Sequence, residues 1–160
     1  MGGAWTSAID NRQDHAGVGA RDSDGGEQVK KQSLPNLKTK ADTITSQYIR
    51  QKWADHAGMV KCCTCPTVKH WKEMHCAHYV ERTKTATRWL EENLRPACPS
   101  CNVYRKEHHK REFTLVMLDA YGRDFVDELN RISRKVCKPS EVRELAEQAI
   151  TYYTEAVRGL

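Results

Sequence analysis

No stretch of the 160-residue chain is apolar over the roughly 18 residues that a membrane-spanning helix needs. The N-terminus "MGGAWTSAIDNRQD" has no basic segment followed by an apolar one, which argues against a secretory signal. Internal repeats are also missing, which excludes solenoids and propellers. Met1-Gly2-Gly3-Ala4-Trp5-Thr6 formally fits the loose N-myristoylation pattern, a match too short and common to carry weight. The expectation is therefore a cytoplasmic protein whose thiols stay reduced.

Cysteine is plentiful, with seven residues at 62, 63, 65, 76, 98, 101 and 137, six of them inside forty positions. In a reducing compartment such a cluster argues for metal binding and against a disulfide framework. Cys62 and Cys65 form one C-x-x-C pair, and Cys98 and Cys101 form a second. A two-residue gap lets both sulfurs of a pair face one tetrahedral zinc at about 2.3 Å, so the four predict a structural zinc site. Cys63 could in principle replace Cys62, but only Cys62 keeps the gap. Cys76 and Cys137 have no second cysteine at ligand spacing and read as small buried hydrophobes.

The net charge of +5 is unevenly placed. Residues 41–110 carry twelve Lys/Arg against seven Asp/Glu, and six of the seven histidines. The flanking segments are near neutrality. Basic charge around a metal cluster points to a polyanionic partner, with DNA the default, although a solvated basic face has the same composition.

Along the chain, residues 1–36 are rich in Gly, Asp, Ser and Gln and predict a disordered segment. Lys38 to about His56 predicts a helix with Ala41, Ile44, Tyr48 and Ile49 on one face, ended by Gly58. Residues 60–100 predict loops and a small hairpin around "HCAHYV". A helix from Asn102 to about Tyr121, with Phe113, Leu115, Val116, Met117 and Leu118 partly buried, is broken at Gly122. A second follows with Phe125, Leu129, Ile132 and Val136 inward, and a last one from Pro139 with Val142, Leu145, Ala146, Ala149 and Tyr153 on one face. The fold class is α+β, a small zinc-bearing ββα centre flanked by helices, divided into residues 37–122 and a C-terminal helical part, 123–160.

Between the two cysteine pairs lie His78, at the end of a β-prone stretch, and Asn93, in a turn; Asn102 follows Cys101 directly. Histidine, asparagine and a final Asn or His on a helix, wrapped around a zinc knuckle, is the pattern of the HNH, or ββα-metal, nucleases. "SQYIRQKWADHAGMVKCCTC", "WKEMHCAHYVERTKTATRW", "ENLRPACPSCN" and "LDAYGRDFVDEL" resemble, in order and spacing, the NinG family of lambdoid phages, also called Rap recombination endonucleases. The resemblance runs from about Leu37 to about Leu129.

It implies a metal-dependent endonuclease that cuts branched DNA such as D-loops and Holliday junctions during recombination. On that footing His78 is the general base, Asn93 braces the loop that aims it, and Asn102 opens the helix and ligates a catalytic Mg²⁺ or Mn²⁺. Many HNH nucleases place a second metal ligand directly before the base, where this chain has Ala77. His75, on the same strand face, either substitutes or hydrogen-bonds the backbone. Arg82, Lys84 and Arg88 are placed to clamp DNA phosphates. Trp89 reads as core, and His108 and His109 as exposed residues on a solvated helix face. The amphipathic C-terminal helices would either form a homodimer interface or pack inside one chain. The rival readings are an HNH nuclease acting on linear DNA and a zinc-stabilised DNA-binding module without cutting activity.

Overall fold

The computed structural model describes residues 32–160, which form one compact unit. The expected disordered segment and the myristoylation pattern lie outside the described residues, except that Leu34–Asn36 already belong to the first helix. That helix, α1, spans Leu34–Lys52, four residues earlier at both ends than the periodicity suggested. Pro35 in its first turn explains the early start, because a missing N–H costs nothing there. Its buried face is Leu37, Ala41, Thr45, Tyr48 and Ile49, while Ile44 is only partly covered.

Four short strands follow. β1 (Met59–Lys61) pairs antiparallel with β2 (Val68–His70), and the Cys62–Cys65 knuckle forms the tip of that hairpin. β3 (His75–His78) pairs antiparallel with β4 (Leu94–Ala97), His75 opposite Ala97 and His78 opposite Leu94. The expected small hairpin is thus two separate two-stranded sheets. Gly58, read as the end of the first helix, instead turns the chain into β1 at φ +76°. A Cβ there would lie 2.7 Å from His70 Nε2, so the site requires glycine twice over.

After the second knuckle a π-turn, Ser100–Tyr104, leads into α2 (Lys106–Ser133), and α3 (Pro139–Arg158) closes the fold. Gly122 interrupts α2 with φ 78° and ψ 171°, as its position in the sequence suggested. Val136, expected inward, is 91% exposed because the helix ends before it, and Leu115 is also exposed.

Side chains alternate across the β3–β4 ribbon, so it serves two cores. One face contributes Ala77 and Ala97 to a cluster with Val60, Met74, Phe113, Met117 and Leu129. Leu94 joins a second cluster formed where α1 packs along α3, with Ile49, Trp89, Ala146, Ala149 and Tyr153. Full burial of an aliphatic such as Ile49 or Leu94 contributes about 1.5–3 kcal/mol. The stripe of α3 is spent inside the chain, against α1.

Two arginines tie the layers together. Arg50 on α1 donates from Nη1 to the carbonyls of Trp71 (3.2 Å) and Met74 (3.3 Å). Arg95 is buried between the rings of Trp53 and Tyr121, 4.9 and 5.1 Å from their centroids. Both are cations satisfied by carbonyls or aromatic faces.

Gly122 has open space around its Cα, so Gly122→Ala isolates the backbone cost. Forcing that conformation on alanine should destabilise the protein by about 1–3 kcal/mol in urea unfolding. An unchanged midpoint would mean that the kink is not held by the fold.

Candidate metal centre and cleft

The sulfurs of Cys62, Cys65, Cys98 and Cys101 lie within 4.8 Å of one another. Cys65 Sγ and Cys98 Sγ are 3.8 Å apart. Sulfurs at about 2.3 Å from a tetrahedral ion are separated by roughly 3.8 Å, so the cluster could hold a metal such as zinc. The N–H groups of Cys98 and Cys101 donate to Cys62 Sγ (3.3 Å) and Cys98 Sγ (3.4 Å). Cys63 lies outside the four: bonding to Cys62, together with burial, pushes its thiol up and keeps it protonated. The same bond is the main reason that Cys62 is lowered to about 3. Burial pushes Cys101 up to about 12. Four thiolates this close repel one another unless a cation neutralises them, which is the chemistry a divalent ion supplies.

The ribbon hangs from this cluster. Asn93 is fully buried in a 3₁₀ turn just before β4. Its Oδ1 accepts from the Val80 N–H (2.7 Å), and its Nδ2 donates to the carbonyls of Val80 (3.0 Å) and Thr87 (2.9 Å). One side chain therefore closes the long loop between β3 and β4. At the mouth of that loop, His78 Nε2 lies 3.1 Å from the Arg88 carbonyl. A carbonyl only accepts, so in the neutral ring Nε2 carries the proton and Nδ1 the lone pair. Burial lowers the His78 pKa to about 4, which keeps the ring neutral at pH 7.

Asn102 lies in the π-turn, not at the start of the helix as expected. Its N–H bonds the Cys98 carbonyl at 3.0 Å, because the chain first winds around the second knuckle and only then starts α2 at Lys106. The Asn102 side chain meets His75, with Nδ2 3.2 Å from His75 Nδ1. Of the two possibilities for His75, a substitute metal ligand or a backbone hydrogen bond, its Nδ1 makes neither contact here and instead meets the Asn102 side chain. His78 and Asn102 line one cleft of about 520 Å³.

Of the three expected phosphate clamps, Arg88 is turned inward. Its guanidinium grips Asp42 through Nε–Oδ1 (2.8 Å) and Nη2–Oδ2 (2.5 Å) and also reaches the Arg82 carbonyl (3.1 Å). Burial alone would raise the Asp42 carboxyl, but Arg88 and the Trp89 indole N–H hold it low. Arg82 and Lys84 are exposed, and Lys84 lines the cleft. His108 is exposed as expected, but His109 is 8% exposed, with Nδ1 2.8 Å from Thr64 Oγ1. It props the first knuckle from α2. Asp42, Thr64, Lys106 and Lys110 were missed. Only Asp42 had a usable signal, as a lone carboxylate on the otherwise neutral or basic α1.

No family model, curated protein or solved structure matches the chain.

Two outcomes follow from this geometry. Metal analysis should find about one tightly held zinc per chain, and Cys98→Ala should unfold the centre, since such sites supply folding energy. A well-folded zinc-free protein would contradict it. For His78, the folded pKa of about 4 lies below the ordinary 6.5. The folded state therefore binds fewer protons, so the stability this histidine contributes is complete above pH 6.5 and is lost as pH falls toward 4. The full span is about 3 kcal/mol. An NMR titration of the His78 ring should give a midpoint near 4, and His78→Gln should flatten the pH dependence of Tm over that window. A midpoint near 6.5 would place the ring in water.

Proposed function

We propose that the protein is a metal-dependent DNA endonuclease of the HNH type, acting on branched recombination intermediates as its resemblance to the NinG family implies. The observation that carries this reading is the single cleft lined by His78 and Asn102, with Asn93 pinning the loop between them. Zinc in the four-cysteine cluster would be structural.

The second, divalent cation would be held by Asn102 and His75, whose side-chain nitrogens are 3.2 Å apart. That spacing suits adjacent donors to one octahedral ion, once the amide turns its oxygen inward. His75 then replaces the ligand that Ala77 cannot provide, and an imidazole beside an amide oxygen favours Mn²⁺ over Mg²⁺. Held by these two residues, such an ion would supply charge neutralisation at a phosphate and at the leaving oxygen. The rest falls to the chain. His78, neutral and oriented through the Arg88 carbonyl, takes a proton from water at Nδ1. Asn93 fixes the loop that supplies that carbonyl. Asp42, by holding Arg88, keeps the carbonyl in place.

One observation favours the rival DNA-binding module. His78 is already bonded, and its low pKa makes it a weak base. A nicking assay with Mn²⁺ or Mg²⁺ separates the two. His78→Ala should lose cleavage by about 10²- to 10⁴-fold while keeping near-normal DNA affinity. Normal cutting by that variant would remove the assignment, and no cutting by the native protein would favour the binding module.

Substrate choice has its own test. Nothing among the described residues presents a free recognition helix or repeated finger, so specificity must come from the shape of the DNA. A four-way junction or D-loop should outcompete a linear duplex of matched sequence. Equal cleavage of both would leave a general HNH nuclease.

A further inference from the structure

Eight of the 22 Lys and Arg side chains among the described residues are held in ion pairs. Arg88 is held by Asp42, Lys52 by Glu91, Arg131 by Glu128 and Lys135 by Glu141. Lys84, Lys106 and Lys110 form no ion pair among the described residues, and all three line the cleft of about 520 Å³. Glu81 is the one carboxylate on its wall. α2 begins in the same wall at Lys106, and no side chain caps its first turn. A helix N-terminus concentrates partial positive charge and unused N–H donors.

A second, independent feature lies on the same wall. His109 is 8% exposed, and its Nε2 is a buried polar atom with no hydrogen-bond partner. Its other nitrogen is occupied by Thr64. Buried polar atoms are nearly always paired, with protein groups, water, or a bound ion or ligand. In the tautomer in which Nδ1 accepts from the Thr64 hydroxyl, Nε2 carries the proton and is a donor in search of an oxygen; in the other, Thr64 donates to Cys62 Sγ, 3.6 Å away, and Nε2 is an acceptor.

We propose that this end of the cleft is a phosphate subsite built from Lys106, Lys110, His109 and the first turn of α2, separate from the His75–Asn102 pair and supplemented by Lys84. A tetrahedral oxyanion supplies what each of these groups lacks, an acceptor for Nε2–H and a counter-charge for the lysines. The phosphate comes from a nucleic-acid backbone or is free in solution. On the nuclease reading the backbone is the source, and the subsite grips a phosphate next to the one that is cut. The subsite itself does not depend on cleavage.

The test uses the full zinc-loaded chain with no added Mg²⁺ or Mn²⁺, so that binding is read without cutting. Inorganic phosphate is titrated while the ¹⁵N signals of the His109 ring are followed, and a short oligodeoxynucleotide duplex is titrated in parallel. The expected result is a saturable shift of His109 Nε2 with both, competition between them, and an Nε2-protonated tautomer. Lys106→Gln/Lys110→Gln should weaken duplex binding about tenfold and flatten its log–log salt slope by about two. Lys40→Gln/Arg158→Gln, on α1 and at the end of α3 and outside the cleft lining, should change neither. A His109 response to phosphate alone would support the subsite and assign it to free phosphate. A silent His109 ring, or a cleft variant with the full salt slope, would overturn it. Nicking that persists in that case when Mn²⁺ or Mg²⁺ is added would leave the nuclease reading intact, whereas binding here with no nicking once either ion is added would sink that reading and keep the subsite.

Discussion

Four sulfurs brought together from either side of a 32-residue insert are the constraint on which the rest of the site depends. The two β-ribbons have strands of only three or four residues, too short to persist as isolated hairpins in water. The first knuckle terminates the β1–β2 ribbon, and the second leaves β4 directly. Joining them fixes the end of one ribbon against the end of the other and sets the point from which α2 departs. An ion at that junction would contribute its binding energy to every element anchored there, because the junction does not exist in the unfolded chain. The apolar residues around it, Val60, Ala77, Ala97 and Phe113, are a modest core by themselves.

A second constraint acts inside the insert. The loop from Tyr79 to Asn93 has only short 3₁₀ turns, yet Val80, Thr87, Trp89 and Asn93 are buried, where backbone polar groups must be paired. Asn93 supplies three of those bonds, and the Tyr153 hydroxyl, 2.7 Å from the Trp89 carbonyl, supplies another. Asp42 adds an acceptor for Arg88 and for the Trp89 indole. The loop is thus held from β4, α1 and α3 at once, which gives the His78 ring a single orientation. A buried loop with so many specific partners has few alternative conformations.

Much of this was legible in the sequence. The cysteine spacing identified the cluster, the C-terminal stripe of Val142, Ala146, Ala149 and Tyr153 matched its buried face, and Gly122 marked the kink. The failures share a cause: they depended on what a side chain meets across the fold. Asn102 looked like a helix start because the π-turn that carries it has no sequence signature. His109 looked solvated because the hydroxyl that binds it, Thr64, is 45 residues away. Val136 fitted a helical period but lies beyond the end of its helix. Periodicity predicts a face only while the element lasts.

The most instructive case is Arg88. The sequence placed Arg82, Lys84 and Arg88 together as phosphate clamps, yet the structure turns only Arg88 inward and leaves Arg82 and Lys84 exposed. A guanidinium is planar, offers several donors and is weakly hydrated, so it can be drawn inward to bridge a carboxylate and carbonyls. Arg88 does this with Asp42, Arg50 with the carbonyls of Trp71 and Met74, and Arg95 with two aromatic faces. An ammonium is compact and strongly hydrated, and Lys84, Lys106 and Lys110 remain at the surface. These arginines therefore tie elements of the fold together, while the three lysines line the cleft. A basic segment of +5 overstates the charge offered to a polyanion wherever its arginines are structural. Part of the charge that remains, that of Lys84, Lys106 and Lys110, lines one wall, where the end of α2 adds to it.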